Sequence, residues 1–118
     1  MKGTNLEDSV KALIKFRNER DWEQFHTPKN LSMSIAIEAA ELMEHFQWKT
    51  EEEAKEYLKT ENLEKVKEEI ADVFSYLLLL SHDLDLDLNR TILEKITKNA
   101  RKYPVSKSRG RNNKYDNL

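Results

Sequence analysis

The chain has 118 residues, 38% hydrophobic and 36% charged, which supports one small domain and not two. A net charge of −2 removes any general case for a nucleic-acid polymer as partner, and the absence of cysteine excludes disulfides, thiolate metal sites and cysteine nucleophiles. No apolar run approaches the roughly 20 residues that cross a membrane, and Met1 leads into no signal-like segment, so a soluble, cytoplasmic protein without a membrane partner is expected.

Glycine and proline occur only twice each, a profile suited to helices rather than turn-rich sheet. Asn5 to Arg20 reads as a first helix, with Leu6, Val10, Leu13 and then Phe16 or Arg17 on one side and a polar far side. Asp21 to Asn30 reads as a break, because Pro28 biases Thr27 away from helix. That break concentrates Trp22, Phe25 and His26, which either plug a core edge or form a stacking platform for a planar ligand. Leu31 to Lys49 reads as a second helix, apolar round most of its circumference and so expected in the core. Thr50 with Glu53 makes a capping-box pattern for a short charged helix through Lys59. Asn62 to His82 reads as a long helix capped by Asn62, with Val66, Ile70, Val73, Phe74 and Leu77 to Leu80 as a wide apolar surface. Asp83 to Leu88 alternates like a strand but is too short and acidic to stand alone, so it is a turn in which Asp85 or Asp87 caps a last helix. That helix carries Leu88, Ile92, Ile96 and Ala100 and must stop near Tyr103, ahead of Pro104.

These elements predict an all-α bundle of four to five helices in a domain spanning 1–104, followed by a basic, mobile tail over 105–118. Two nearly all-round apolar helices exceed what so short a chain can cover, so the bundle is expected to be completed by oligomerisation, as a homodimer or homotetramer.

The second helix carries a contradiction. From Ser32 to Met43 its only charged residues are Glu38 and Glu41, which at about 100° per residue share one narrow face with His45, with Trp48 at its edge. Carboxylates are rarely buried without compensation, so something positive is expected opposite them. The long helix repeats the device: Glu69 and Asp72 have the same i, i+3 spacing, and Tyr76 follows Glu69 by seven residues as His45 follows Glu38. Four carboxylates facing one another repel or take up protons unless a divalent metal sits between them. Oxygen-only ligation suits Mg²⁺, with Mn²⁺ as a substitute, rather than zinc. A di-iron site wants Glu-x-x-His on two helices, which is absent: His45 lies four residues after Glu41, and no acid stands three before His82. Magnesium commonly binds substrate phosphates, which points to phosphate-ester or anhydride chemistry.

Glu38-x-x-Glu41 followed by Glu69-x-x-Asp72 resembles the signature of the all-α nucleoside triphosphate pyrophosphohydrolases, the MazG-like superfamily. FRNERDWEQFHTPKNL (Phe16 to Leu31), ELMEHFQW (Glu41 to Trp48), EEIADVFSYLL (Glu68 to Leu78) and KNARKYPV (Lys98 to Val105) are similar to its dCTP pyrophosphatase branch. Ile37 and Ala40 depart from that branch, which often has glycine there. The resemblance implies Mg²⁺-dependent hydrolysis between the α and β phosphates, with Glu38, Glu41, Glu69 and Asp72 holding metal and carrying catalysis. By the same resemblance Trp22, His26 and Trp48 enclose the base, Asn30 and Gln47 read its edge, and Tyr76 lies near the sugar or phosphate. Lys98, Arg101 and Lys102 would stabilise the departing pyrophosphate, and Asn99 with Tyr103 looks like the phosphate-side block, although a helix stop ahead of Pro104 explains Tyr103 as well. The same chemistry on dUTP or a damaged purine triphosphate is the alternative within the family. A non-enzymatic helical module, its acids paired with a partner's bases, is the alternative outside it.

Overall fold

The computed structural model describes residues 5–117, and every regular element among them is helical. The elements are α1 (Leu6–Glu19), a 3-10 turn (Glu23–Phe25), α2 (Pro28–Glu44), α3 (Glu51–Tyr57), α4 (Asn62–Asp83), α5 (Leu88–Lys102), the single-turn α6 (Val105–Ser108) and a second 3-10 turn (Tyr115–Asn117). They divide into two compact units, one ending at Leu84 and the other beginning at Asp85.

Side-chain caps set most of the helix starts. Asn5 accepts from Asp8 N, Thr27 from Asn30 N, and Asp87 from Arg90 N, each satisfying an N–H that its helix leaves open. Thr50 and Glu53 form the expected reciprocal box, at 3.2 and 3.0 Å. Several boundaries differ from the sequence reading, the short helix α3 ending at Tyr57 rather than Lys59 among them. The second helix begins at Pro28 rather than Leu31, because proline at the first helical position gives up an N–H that has no partner there anyway; it ends at Glu44 rather than Lys49, the chain turning through His45 to Trp48. Asn62 does not cap α4: Glu61 holds the cap position without a side-chain bond, and Asn62 N instead donates to Thr60 Oγ1 at 3.2 Å.

In the first unit α4 packs against both α2 and α1. On α4, Val66, Glu69, Val73, Tyr76 and Leu80 recur at three- and four-residue steps and are all at least partly covered. On α2 the matching stripe is Leu31, Ile35, Glu38, Leu42 and His45. Leu31 is the one large side chain fully enclosed among the described residues, joined in the core by Val66, Leu78 and Leu79. Burying each such side chain is worth about 1.5–3 kcal/mol.

The expectation that α2 is a core helix is corrected within the chain itself. Met33, Ile37 and Met43 are all more than half exposed, because α4 covers only one of its apolar faces. On α1 the inward stripe is Val10, Leu13, Ile14 and Arg17, so of the two candidates for the last inward position it is the charged one that is buried.

In the second unit, α5 stops at Lys102 with Tyr103 as its cap, ahead of Pro104. Tyr115 returns to Tyr103, ring centroids 6.3 Å apart and nearly perpendicular, with Lys102 Nζ 4.9 Å from the Tyr115 ring centre.

Candidate active site

The contacting stripes of α2 and α4 each carry a glutamate near the middle, Glu38 and Glu69, and each has a second acid one turn on. One carboxylate oxygen each from Glu38, Glu41 and Glu69 lie within 4.8 Å of one another. Oε2 of Glu38 and Oε2 of Glu69 are buried and have no hydrogen-bond partner. Burial, the close approach of the Glu41 carboxyl and the charges of Glu41 and Asp72 push the Glu38 carboxyl up to about 7. The Glu69 carboxyl is raised as well, first by burial and then by Glu41. Asp72 lies outside the three-oxygen group, one turn beyond Glu69, and its charge acts on Glu38, Glu69 and the Tyr76 hydroxyl.

The positive group expected opposite these acids is not supplied by the described side chains of the first unit. Among the described residues no lysine or arginine pairs with Glu38, Glu41 or Glu69; the chain's ion pairs form elsewhere. Two orphaned buried oxygens and a third carboxylate converging without a counter-charge make a donor set suited to a hard divalent cation, which would remove the repulsion and supply the missing partners.

Beside the acids, a cavity of about 610 Å³ opens between α1 and α4. Asp72 and Tyr76 line it from α4, Arg17 from α1, and Trp22 and His26 from the loop that follows. Phe16, Trp22, His26 and Tyr76 form a relay of aromatic contacts at successive centroid distances of 5.7, 6.5 and 6.3 Å. Burial and the nearby Arg17 charge hold the His26 imidazole below its usual value, with Asp83 opposing them. Its Nδ1 is buried without a partner. Burial, then the Glu38 and Asp72 charges, raise the Tyr76 phenol.

Of the remaining residues singled out in the sequence, those of the first unit do not line this cavity. Trp48 is 88% exposed in the turn after α2, and neither it nor Gln47 lines the cavity. The Asn30 amide donates to Phe25 O at 3.0 Å while its backbone N–H takes the Thr27 cap, so it ties the aromatic turn to the start of α2. His45 is on the α2 stripe, but its Nδ1 is 2.6 Å from the Tyr57 hydroxyl, which fastens α2 to α3. Lys98, Asn99, Arg101, Lys102 and Tyr103 belong to the last turn and cap of α5 in the second unit, where Tyr103 N donates to Asn99 O at 2.8 Å.

Sequence reasoning missed Arg17 and Asp83. Arg17 is 3% exposed and forks onto both Asp83 oxygens at 2.9 Å, a contact that raises its pKa further. The available signal was positional: Arg17 stands seven residues after Val10, on an otherwise apolar stripe.

Known proteins resemble this chain over most of its length. The MazG-like family model matches residues 33–118. The dCTP pyrophosphatase 1 of Rattus norvegicus is 40% identical over 114 residues, covering 96% of this chain and 67% of the rat protein. That of Homo sapiens is 39% identical over 114 residues, with the same shares of the two chains. A solved structure of a pyrophosphatase from Archaeoglobus fulgidus matches with a TM-score of 0.80 at 42% identity, covering 88% of this chain and 96% of that one. The chain belongs to the MazG-like family, the all-α nucleoside triphosphate pyrophosphohydrolases.

Proposed function

We propose that this protein hydrolyses dCTP or a modified deoxycytidine triphosphate between the α and β phosphates, releasing the monophosphate and pyrophosphate, and that it requires Mg²⁺, with Mn²⁺ able to substitute. The observation that carries the reading is the convergence of Glu38, Glu41 and Glu69 within 4.8 Å with no basic side chain of the described residues against them. Glu38, Glu41, Glu69 and Asp72 are the residues that would hold the cation. When bound, the ion neutralises the triphosphate and favours attack of water at the α phosphorus.

The chain's own residues do the rest. Fully ionised, the four acids would contribute about −4 of charge, so the anionic substrate binds this face only with counter-ions. A carboxylate of the set accepts the proton of the attacking water. Trp22, His26 and Tyr76 offer aromatic walls to a pyrimidine, and Trp48 offers a further stacking surface. Lys98, Arg101 and Lys102, with Asn99 and Tyr103, form the proposed phosphate-side group, their cations stabilising charge on the pyrophosphate leaving group. Homo-oligomerisation belongs to the proposal, since Met33, Ile37, Met43 and Ile70 are apolar and more than half exposed.

The test is a panel of ribo- and deoxyribonucleoside triphosphates with Mg²⁺, read for both monophosphate and pyrophosphate. dCTP or a 5-substituted dCTP should be turned over fastest, and excess chelator should abolish turnover. Faster cleavage of dUTP or an oxidised purine triphosphate would reassign the base while leaving the chemistry; wild-type rates in chelator would end the hydrolase reading.

A further inference from the structure

A 3% exposed arginine facing the same cavity as the aromatic side chains needs an explanation that the acidic centre does not supply. Arg17 makes two kinds of attachment. Its guanidinium forks onto Asp83 Oδ1 and Oδ2, both at 2.9 Å, tying the last full turn of α1 to the C-terminal end of α4. Its carbonyl accepts from Arg20 N at 3.2 Å and from Trp22 N at 3.1 Å, fixing the turn that leaves α1. That turn is demanding, since Asp21 sits at φ 53, in the left-handed region where a side-chain-bearing residue is disfavoured unless its surroundings hold it. Gln24 braces it further through bonds from Nε2 to Asp21 O and Oδ2.

What the turn delivers is the aromatic wall. Trp22 meets Phe16 edge-on at 5.7 Å on one side and His26 on the other, and His26 reaches Tyr76 of α4 at 6.3 Å. The wall is thus anchored on α4 twice, through the His26–Tyr76 contact and through Arg17–Asp83. We propose that Arg17 and Asp83 are positioning residues for substrate binding: the forked pair holds α1 against the end of α4 and thereby fixes Trp22 and His26, packed against Tyr76, as the cavity wall on which a planar base stacks. This rests on the functional reading above and adds to it a determinant of affinity outside the acidic set.

A pair with only a structural role is separable from a positioning pair, because a buried ion pair can be replaced by apolar side chains of similar volume at little or no loss of stability. The orientation imposed by two parallel hydrogen bonds cannot be replaced in that way. The experiment compares wild type, Arg17→Lys, Arg17→Ala and the double variant Arg17→Met with Asp83→Leu by thermal melting and by steady-state kinetics on the best substrate of the nucleotide panel. Arg17→Lys keeps the charge and loses the fork, and should raise KM several-fold with kcat within about twofold. The apolar double variant should recover the melting temperature lost in Arg17→Ala but retain a KM raised about tenfold.

Recovery of wild-type KM together with stability in the double variant would overturn the proposal and leave the pair purely structural. A fall in kcat at constant KM would also overturn it. If Arg17→Ala does not fold, Arg17→Lys and the double variant still decide between these outcomes. A wild-type protein that cleaves no nucleotide would instead defeat the functional reading, and the positioning role with it.

Discussion

Glu38 states the physical problem of the site in one side chain. Its carboxyl titrates at about 7 because water has been removed and other acids approach, so the folded metal-free protein binds a proton there that the unfolded chain releases near 4.5. Between those values the folded state holds more protons than the unfolded one, so this group's contribution to stability is present below 4.5 and is lost as pH rises through 7. In chelator, therefore, the melting temperature should decline from pH 5 to pH 7.5, and Glu38→Gln should flatten part of the decline. Glu69, shifted in the same direction, contributes the remainder. With Mg²⁺ in excess the decline should shrink or reverse, because the cation competes with protons for the same oxygens. A profile indifferent to both chelator and Glu38→Gln would show that the acids do not share a field. In activity assays Glu38→Gln and Asp72→Asn should keep the helical fold and lose turnover by about 10²-fold or more.

At the scale of elements, α2 depends on its first turn. The Thr27 hydroxyl caps it, Pro28 opens it, and Asn30 ties back to Phe25, so the start of the helix and the loop bearing His26 are one local structure. Thr27→Ala should cost about 1 kcal/mol, read by chemical denaturation, while Thr27→Ser should cost little. Much at this level was legible beforehand. The cap at Asp87, the reciprocal Thr50 and Glu53 bonds and the stop at Tyr103 are all local in sequence, and each followed from side-chain chemistry within a few residues. Pro28 misled because proline is both a breaker and a good first helical residue, and only the geometry of Thr27 distinguishes the two roles. Arg17 was illegible for another reason: period marks its position as inward, but the partner that makes a buried guanidinium tolerable lies 66 residues away and leaves no local trace. The two acidic pairs could be read because spacing alone places them on helix faces. That they meet is a tertiary fact, which the distance between the oxygens of Glu38, Glu41 and Glu69 establishes.

For the whole molecule, the apolar surface left bare is the dominant feature. Composition correctly signalled that α2 carries more apolar face than a surface helix needs, but composition does not say what covers it. Within the chain α4 covers one side only, leaving Met33, Ile37 and Met43 in water, and in the second unit Ile92, Leu93 and Ile96 are also exposed along α5. If copies of the chain cover the α2 face, light scattering should give a multiple of 14.0 kDa, and Ile37→Glu should return the mass towards one chain by burying an unpaired charge at the contact. A monomeric wild type would remove this part of the proposal.

The bond between Arg17 and Asp83 also bears on the order in which the molecule assembles. The segments that form α2, α3 and α4 are near neighbours along the chain and close short loops, whereas the clamp must bring together groups 66 residues apart, an entropically later event. A nascent or partly denatured chain should therefore hold the α2 and α4 hairpin while α1 is still undocked, and backbone amides of α1 should exchange with deuterium sooner than those flanking Leu78.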